Sequence, residues 1–174
     1  MSGKTDETQA LPFVKWAGGK RQLLDKIHAR MPKVYNSYYE PFVGGGAVLF
    51  NLAPARAKVN DVNVALINAY TQVKYNPDEL MSTIDELDEN HRTSEDSKSY
   101  YYYIREKFNG SLVTGASSTY DAALFIYVNK HCFNGLYRVN SKGLFNVPYN
   151  SSNARSYSRE NIMAVSRALQ SADI

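Results

Sequence analysis

The sequence predicts an α/β protein in which a parallel sheet opens the chain and a mostly helical module bearing a β-hairpin follows. Three observations predict this. A short strand over 38–42 runs into Gly44-Gly45-Gly46, and an apolar helix over 47–52 leads to a second strand ending at Asn60-Asp61. Beyond residue 76 the apolar positions recur at helical spacing, as in Leu80, Ile84 and Leu87. Over 135–149, Tyr137-Arg138-Val139 and Leu144-Phe145-Asn146 flank Ser141-Lys142-Gly143, a turn of the kind that joins antiparallel strands. The first unit is assigned to 10–75 and the second to 76–170.

Each element has a local cause. Leu24, Ile27 and Met31 share one face of an expected helix over 20–31. Strand, glycine turn, helix and strand together form the opening of a parallel α/β sheet, whose ligand site lies at the carboxyl ends of the strands. Asn63 is placed to cap a helix that aligns Leu66, Tyr70 and Val73. Asn76-Pro77-Asp78-Glu79 reads as a helix start, with Asn76 as cap, Pro77 in the first turn and Glu79 completing a capping box. Helices follow around Tyr101, Ile104 and Phe108 and over 121–130, separated by an expected loop over 110–119, and another starts at Ser158.

Composition narrows the function classes. The 174 residues are 44% hydrophobic and 21% charged, which suits a globular chain. No apolar run approaches the roughly 20 residues that span a bilayer. The polar start Met1–Gln9 lacks the apolar core of a secretory signal. Cys132 is the sole cysteine, which excludes an internal disulfide and a cysteine-built zinc site. A reducing cytoplasm is the expected setting. Net charge is only +3, yet residues 130–159 hold five basic side chains and no acidic one, interleaved with Phe133, Tyr137, Phe145, Tyr149 and Tyr157. Cations that neutralise phosphate and rings that stack on bases make this a candidate nucleic-acid surface. A solvated loop over core aromatics is the alternative.

Two glycine motifs invite a ligand. In Glu40-Pro41-Phe42-Val43-Gly44-Gly45-Gly46 the backbone can approach a ligand without Cβ obstruction. Asp61, seventeen positions after Gly44, stands where a carboxylate can accept from ribose hydroxyls. Leu49 occupies the place of the third glycine of the dinucleotide fingerprint, which argues against NAD. In Phe13-Val14-Lys15-Trp16-Ala17-Gly18-Gly19-Lys20, Val14 and Arg21 replace the first glycine and the Ser/Thr of a phosphate-binding loop, which excludes that site. Lys20 can still neutralise a carboxylate, and Trp16 either borders the ligand or packs in the core. Arg138 can present two donors to a guanine edge, or brace the hairpin. Phe133 or Leu136 can wedge into a duplex. The neighbours His131 and Cys132 are too weak a signal for a metal or a nucleophile.

Taken in order, these motifs resemble the Dam-like DNA adenine N6-methyltransferases. Lys15 to Lys20, Glu40 to Gly46, Asn60-Asp61, Phe133-Asn134-Gly135-Leu136-Tyr137-Arg138 and Phe145-Asn146-Val147-Pro148-Tyr149 occur in that family's sequence, spanning about residues 12–149. The resemblance implies an incomplete Rossmann-like sheet of the methyltransferase fold, with the helical module inserted as a target-recognition domain. It implies S-adenosyl-L-methionine as cofactor, bound by Trp16, Lys20 and Asp61 with Gly44 and Gly46 shaping the pocket, and no metal. Double-stranded DNA is the implied partner, usually at GATC, touched by Phe133, Asn134, Leu136, Arg138 and Pro148, in a nucleoid-associated enzyme of the kind found in restriction-modification. The family usually continues with Gly-Arg-Tyr where this chain reads Asn150 to Arg155, so Arg155, Tyr157 and Arg159 are the candidates for phosphate contacts. An Asp-Pro-Pro-Tyr tetrapeptide, which in the family holds the adenine amine, does not occur here. No catalytic residue is therefore assigned, and the chain alone is expected to be inactive unless a second chain completes the sheet. Two other classes stay open: a truncated, catalytically dead DNA-binding module, and a small-molecule-binding domain without DNA contact.

Overall fold

The computed structural model describes residues 8–174, so all but the last two positions of the polar Met1–Gln9 stretch lie outside the described residues. Strands β1 (Tyr38–Glu40), β2 (Ala57–Val59) and β3 (Ala172–Asp173) form one parallel sheet in the order β1-β2-β3. Tyr38 pairs with Ala57, Glu40 with Val59, and Ala57 with Ala172. A parallel pair needs a crossover, and two very different ones serve here. Helix α2 (Ala47–Leu52) lies between β1 and β2, whereas five helices lie between β2 and β3. They are α3 (Val64–Tyr75), α4 (Pro77–Thr93), α5 (Ser97–Thr114), α6 (Thr119–His131) and α7 (Arg159–Leu169). A 3-10 turn, Lys20–Leu23, and the short helix α1 (Leu24–His28) precede β1. This is the α/β class expected, with a small parallel sheet consistent with a methyltransferase fold.

Helix α6 occupies the centre. Eleven of its 13 residues are buried, and a helix apolar on nearly all faces must be enclosed. Helices α3, α4 and α5 enclose it. Its first turn is closed by a capping box, in which the Ser118 hydroxyl accepts from the Asp121 amide and the Asp121 carboxylate accepts from Ser118. Leu66, Tyr70, Leu80, Ile84, Tyr101 and Phe108 belong to the same buried cluster as Val43, Phe50 and Val59.

Several expectations are corrected. The helix expected over 20–31 is only α1 plus a 3-10 turn, with no fully buried residue in either: Leu24, Ile27 and Met31 are half-buried, and both elements pack on α2. The loop expected over 110–119 is mostly helix: α5 runs on through Gly110 to Thr114 and ends at left-handed Gly115. Asn76 closes α3 and opens α4 at once, but its amide donates to Gln72 (2.7 Å) instead of capping, and Glu79 completes no box. The β-hairpin expected over 135–149 is an irregular excursion. It holds one isolated antiparallel bridge, Val139 with Phe145, around a turn closed by the Gly143 amide on the Asn140 carbonyl (2.9 Å). A second bridge joins Cys132 to Tyr149.

Side chains supply what a strand ladder would otherwise provide. The Asn109 amide accepts from the Phe145 N–H (2.8 Å) and donates to the Phe145 carbonyl (3.2 Å). Asn161 does the same for Leu11 at 2.9 and 3.0 Å. Buried backbone groups need partners, and each asparagine offers one donor and one acceptor edge to an irregular segment. Segment 152–156 is held on α4 by another device. Asp88 accepts from the Ser156 amide (2.7 Å) and hydroxyl (2.5 Å), with His131 Nε2 at 3.5 Å. His131 stacks on His91, ring centroids 4.4 Å apart, and His91 bonds the hydroxyls of Tyr127 and Tyr149.

Two stability outcomes follow from these contacts. Asn109→Ala leaves both backbone groups of Phe145 buried without partners, at about 1–3 kcal/mol for each group. Denaturant unfolding is therefore expected to show a loss of about 2–6 kcal/mol; a loss within ±0.5 kcal/mol, the range usual for plain surface substitutions, would show the clamp to be idle. Burial alone would raise the Asp88 carboxyl, but hydrogen bonds from His131 and Ser156 hold it below the usual carboxylate range. A depressed acid contributes stability above its unfolded value, near pH 4, and loses it as pH falls through the lower folded value. Asp88→Asn is expected to be destabilised by about 1–3 kcal/mol at pH 7, with the gap to the wild type closing toward pH 2. A gap independent of pH in unfolding curves would remove Asp88 from this role.

Candidate cofactor cavity and nucleic-acid interface

The carboxyl ends of β1 and β2 meet at the glycine turn. Pairing continues past both strands, with the Asn60 N–H on the Glu40 carbonyl (3.0 Å) and the Val43 N–H on the Asn60 carbonyl (2.9 Å). Gly44 and Gly46 both have positive φ, 52° and 76°. A Cβ on Gly44 would lie 2.8 Å from the Trp16 ring, and one on Gly46 would lie 2.5 Å from both the Phe50 ring and the Tyr70 hydroxyl. Glycine is required twice over, by conformation and by space.

Asp61 is tied into this turn. Its carboxylate accepts from the Gly44 N–H (3.0 Å) and the Asn63 N–H (3.0 Å), while the Tyr70 hydroxyl donates to the Gly44 carbonyl (2.9 Å). Asn63 caps α3 through the Leu66 amide (2.9 Å). A carboxylate offers about four lone-pair sites, so Asp61 keeps about half of its accepting capacity for a ligand.

Lys20 is engaged as well. Its ammonium donates to Glu40 Oε1 (3.0 Å) and to the Phe42 carbonyl (2.6 Å), which leaves one of its three N–H donors. Glu40 is buried and also accepts from the Tyr38 hydroxyl (2.8 Å). Sequence reasoning assigned no role to Glu40; its position at the head of the glycine motif was the available signal.

Trp16, Lys20, Gly44 and Asp61 line one cavity of about 210 Å³. A larger cavity of about 530 Å³, bordered by Leu11, Val14 and Phe50, adjoins it and shares Trp16, Gly19, Gly45 and Ala47. Gly46 borders neither cavity; it shapes the turn from behind, as the left-handed cap residue immediately before α2. Trp16 borders both cavities, and its ring stacks on Tyr137 at 5.7 Å.

Most of the candidate DNA-binding residues lie around the end of α6. Phe133 and Asn134 form a 3-10 turn with Gly135, in which Asn134 is left-handed (φ 54°), a conformation asparagine tolerates. The Phe133 N–H donates to the Pro148 carbonyl (2.8 Å), so Phe133 and Pro148 lie side by side, and both are exposed. Leu136 is half-buried. Exposed Arg138 donates to the Asn146 side chain (2.7 Å) and carbonyl (3.3 Å), so its guanidinium braces the excursion in this structure. Arg155 is not brought to this group by any hydrogen bond; it lines a separate cavity of about 280 Å³ with Asp85, Asp88 and Glu89. Cys132 is fully buried, and burial pushes its thiol up to about 11. No helix among the described residues is long and apolar enough to cross a membrane.

Comparison with known proteins gives the arrangement a family. Residues 16–174 match the D12 class N6 adenine-specific DNA methyltransferases. The chain is 46% identical over 164 residues to the Type II methyltransferase M1.LlaDCHI of Lactococcus lactis subsp. cremoris, covering 94% of this chain and 56% of that protein. It is 39% identical over 175 residues to the Type II methyltransferase M.MjaIII of Methanocaldococcus jannaschii, covering 94% and 60%. To the DNA adenine methylase of Haemophilus influenzae it is 36% identical over 161 residues, covering 92% and 54%. The chain thus spans a little over half the length of these relatives. On the match across residues 16–174, the chain belongs to the D12 class of N6 adenine-specific DNA methyltransferases.

Proposed function

We propose that this protein takes a methyl group from S-adenosyl-L-methionine and places it on adenine N6 in duplex DNA, with GATC as the target. The observation that carries the cofactor assignment is the cavity in which Trp16, Lys20 and Asp61 converge on bare glycine backbone. The residues fit such a ligand. Asp61 retains acceptor capacity for ribose hydroxyls, Lys20 retains one donor for a carboxylate, and no Cβ on Gly44 blocks approach. The cavity by Asp61 is smaller than the roughly 300–1,000 Å³ usual for ligand sites, and the adjoining one extends it. When bound, the cofactor supplies an electrophilic methyl on a sulfonium.

The chain's own part is to bind and orient. Glu40 holds the Lys20 ammonium against the turn, and the Gly44 N–H keeps Asp61 in place. Within this reading 10–75 forms the cofactor-binding portion and 76–170 an inserted recognition domain whose 135–149 excursion serves as its hairpin. Exposed Phe133 beside Pro148 offers an apolar edge for separating bases, with Asn134 at the tip of the turn. Arg138 exchanges Asn146 for a guanine edge, and the target adenine leaves the stack at a cost of a few kcal/mol. Arg155, among carboxylates, contacts phosphate only after overcoming their competition.

Calorimetry with S-adenosylmethionine tests the cofactor site. Asp61→Ala is expected to lose about 1.5–3 kcal/mol of binding, as for a hydrogen bond to a charged group. Asp61→Asn, which keeps an acceptor for the Gly44 N–H, is expected to fall between Ala and wild type; equal affinity for all three would remove Asp61 from the site.

Titration against a GATC duplex and a scrambled one, at two salt concentrations, tests the recognition surface. Arg138→Ala is expected to cost about 1–3 kcal/mol on GATC and much less on the scrambled duplex. Arg155→Ala is expected to weaken both alike and flatten the salt slope by about one unit. Equal losses on both duplexes for Arg138→Ala, with reduced folding stability, would mark it as the brace of the excursion alone.

A further inference from the structure

Three contacts fasten the segment beside the cofactor cavity to the turn that carries the DNA candidates. Asn129, buried at the end of α6, accepts from the Lys15 N–H (2.8 Å) and donates to the Lys15 carbonyl (2.8 Å). The same amide nitrogen lies 3.3 Å from the Gly135 carbonyl. One side chain therefore grips the residue before Trp16 and the middle of the 133–138 turn. Gly135 is left-handed (φ 62°), and a Cβ there would lie 2.3 Å from the Lys15 Cβ, so the two segments meet with no room between them. Finally, Trp16, which lines both cavities, stacks on Tyr137 at 5.7 Å and 30°.

We propose that Asn129 is a positioning residue that couples donor binding to target recognition, so that occupancy of the cavity and binding of the cognate duplex strengthen each other. The inference rests on the function proposed above but assigns a new role to a residue outside both sites. Asn129 touches neither donor nor DNA in that reading. Its amide fixes the distance between Lys15 and Gly135, and the Trp16–Tyr137 stack carries any displacement at the cavity to the residue preceding Arg138. A donor that packs against Trp16 holds one arrangement of the pair, and DNA that engages Phe133 and Arg138 holds the same one. Coupling of this kind is reciprocal, because both ligands bias one shared element.

The test measures duplex affinity of the full 174-residue chain with and without saturating S-adenosylhomocysteine, which fills the cavity and cannot transfer a methyl group. The wild type is expected to bind a GATC duplex about fivefold or more tighter with the nucleoside present, the lower end of common coupling factors. Asn129→Asp keeps the acceptor for the Lys15 N–H and loses both donated bonds. Its ratio is expected to fall toward one while its affinity for S-adenosylhomocysteine without DNA changes less than about twofold, a small fraction of the coupling range. Tyr137→Leu breaks the stack at a second point and is expected to lower the ratio likewise. Thermal unfolding identifies the folded fraction, so the ratio is read on folded protein, and if Asn129→Asp does not fold, Tyr137→Leu decides. A folded variant that binds both ligands with the wild-type ratio overturns the proposal, as does a wild-type ratio of one. Failure of the wild type to bind either ligand overturns the proposed function along with the coupling.

Discussion

Burying a helix on every face removes the freedom of everything packed around it. Helix α6 has almost no exposed side chain between Thr119 and Asn129, so α3, α4 and α5 must each present an apolar stripe to it, and they do so with Leu66, Leu80, Ile84, Tyr101 and Phe108. Close packing makes such a centre intolerant of small displacements. Its ends are consequently fixed points. The amino end is closed by Ser118 and Asp121, and the carboxyl end delivers Asn129, His131 and Cys132 to defined positions. The glycine turn reaches this centre through Tyr70, whose ring packs near Phe50 and whose hydroxyl holds Gly44.

The regular elements were legible because their causes are local. Gly44, Gly46 and Asp61 could be read as a group, since a turn between a strand and a helix limits what can stand there. Leu66, Tyr70 and Val73 were legible through spacing, and Asn63 and Ser158 through capping chemistry. What escaped was whatever depends on a distant partner. Strand β3 is two residues long and exists through its pairing with β2. The helix expected over 20–31 had a good stripe, but Leu24, Ile27 and Met31 are only half-buried against α2 and the helix stops at His28. Gly110 looked like an end to α5, but a glycine inside a helix costs only about 1 kcal/mol, which packing of Phe108 and Asn109 overrides.

The same division holds at the site. Trp16, Lys20, Gly44 and Asp61 do line one cavity. Glu40 went unread because its place at the head of the glycine motif does not say which cation it will meet; only the fold brings Lys20 beside it. Asn109, Asn129 and Asn161 were invisible for a related reason: nothing in the residues around an asparagine says whether its amide faces water or a backbone far along the chain. His91 and His131 likewise gain meaning only by stacking on each other above Asp88.

The approach of Gly135 to Lys15 sets the seams along which the molecule can be recombined. A transplant that exchanged only the surface excursion for that of a relative would carry off one side of two clamps and leave the other behind. Asn109, which grips Phe145, and Asn129, which grips Lys15 and Gly135, both stand outside the excursion on α5 and α6. A portable block must therefore include Asn109 and Asn129 together with Tyr101, whose hydroxyl donates to the Val147 carbonyl (2.9 Å), and it makes one demand on its host: a residue 15 whose stem leaves room for the hydrogen at position 135. Under the proposed function, specificity would travel with this scaffold rather than with the surface residues alone.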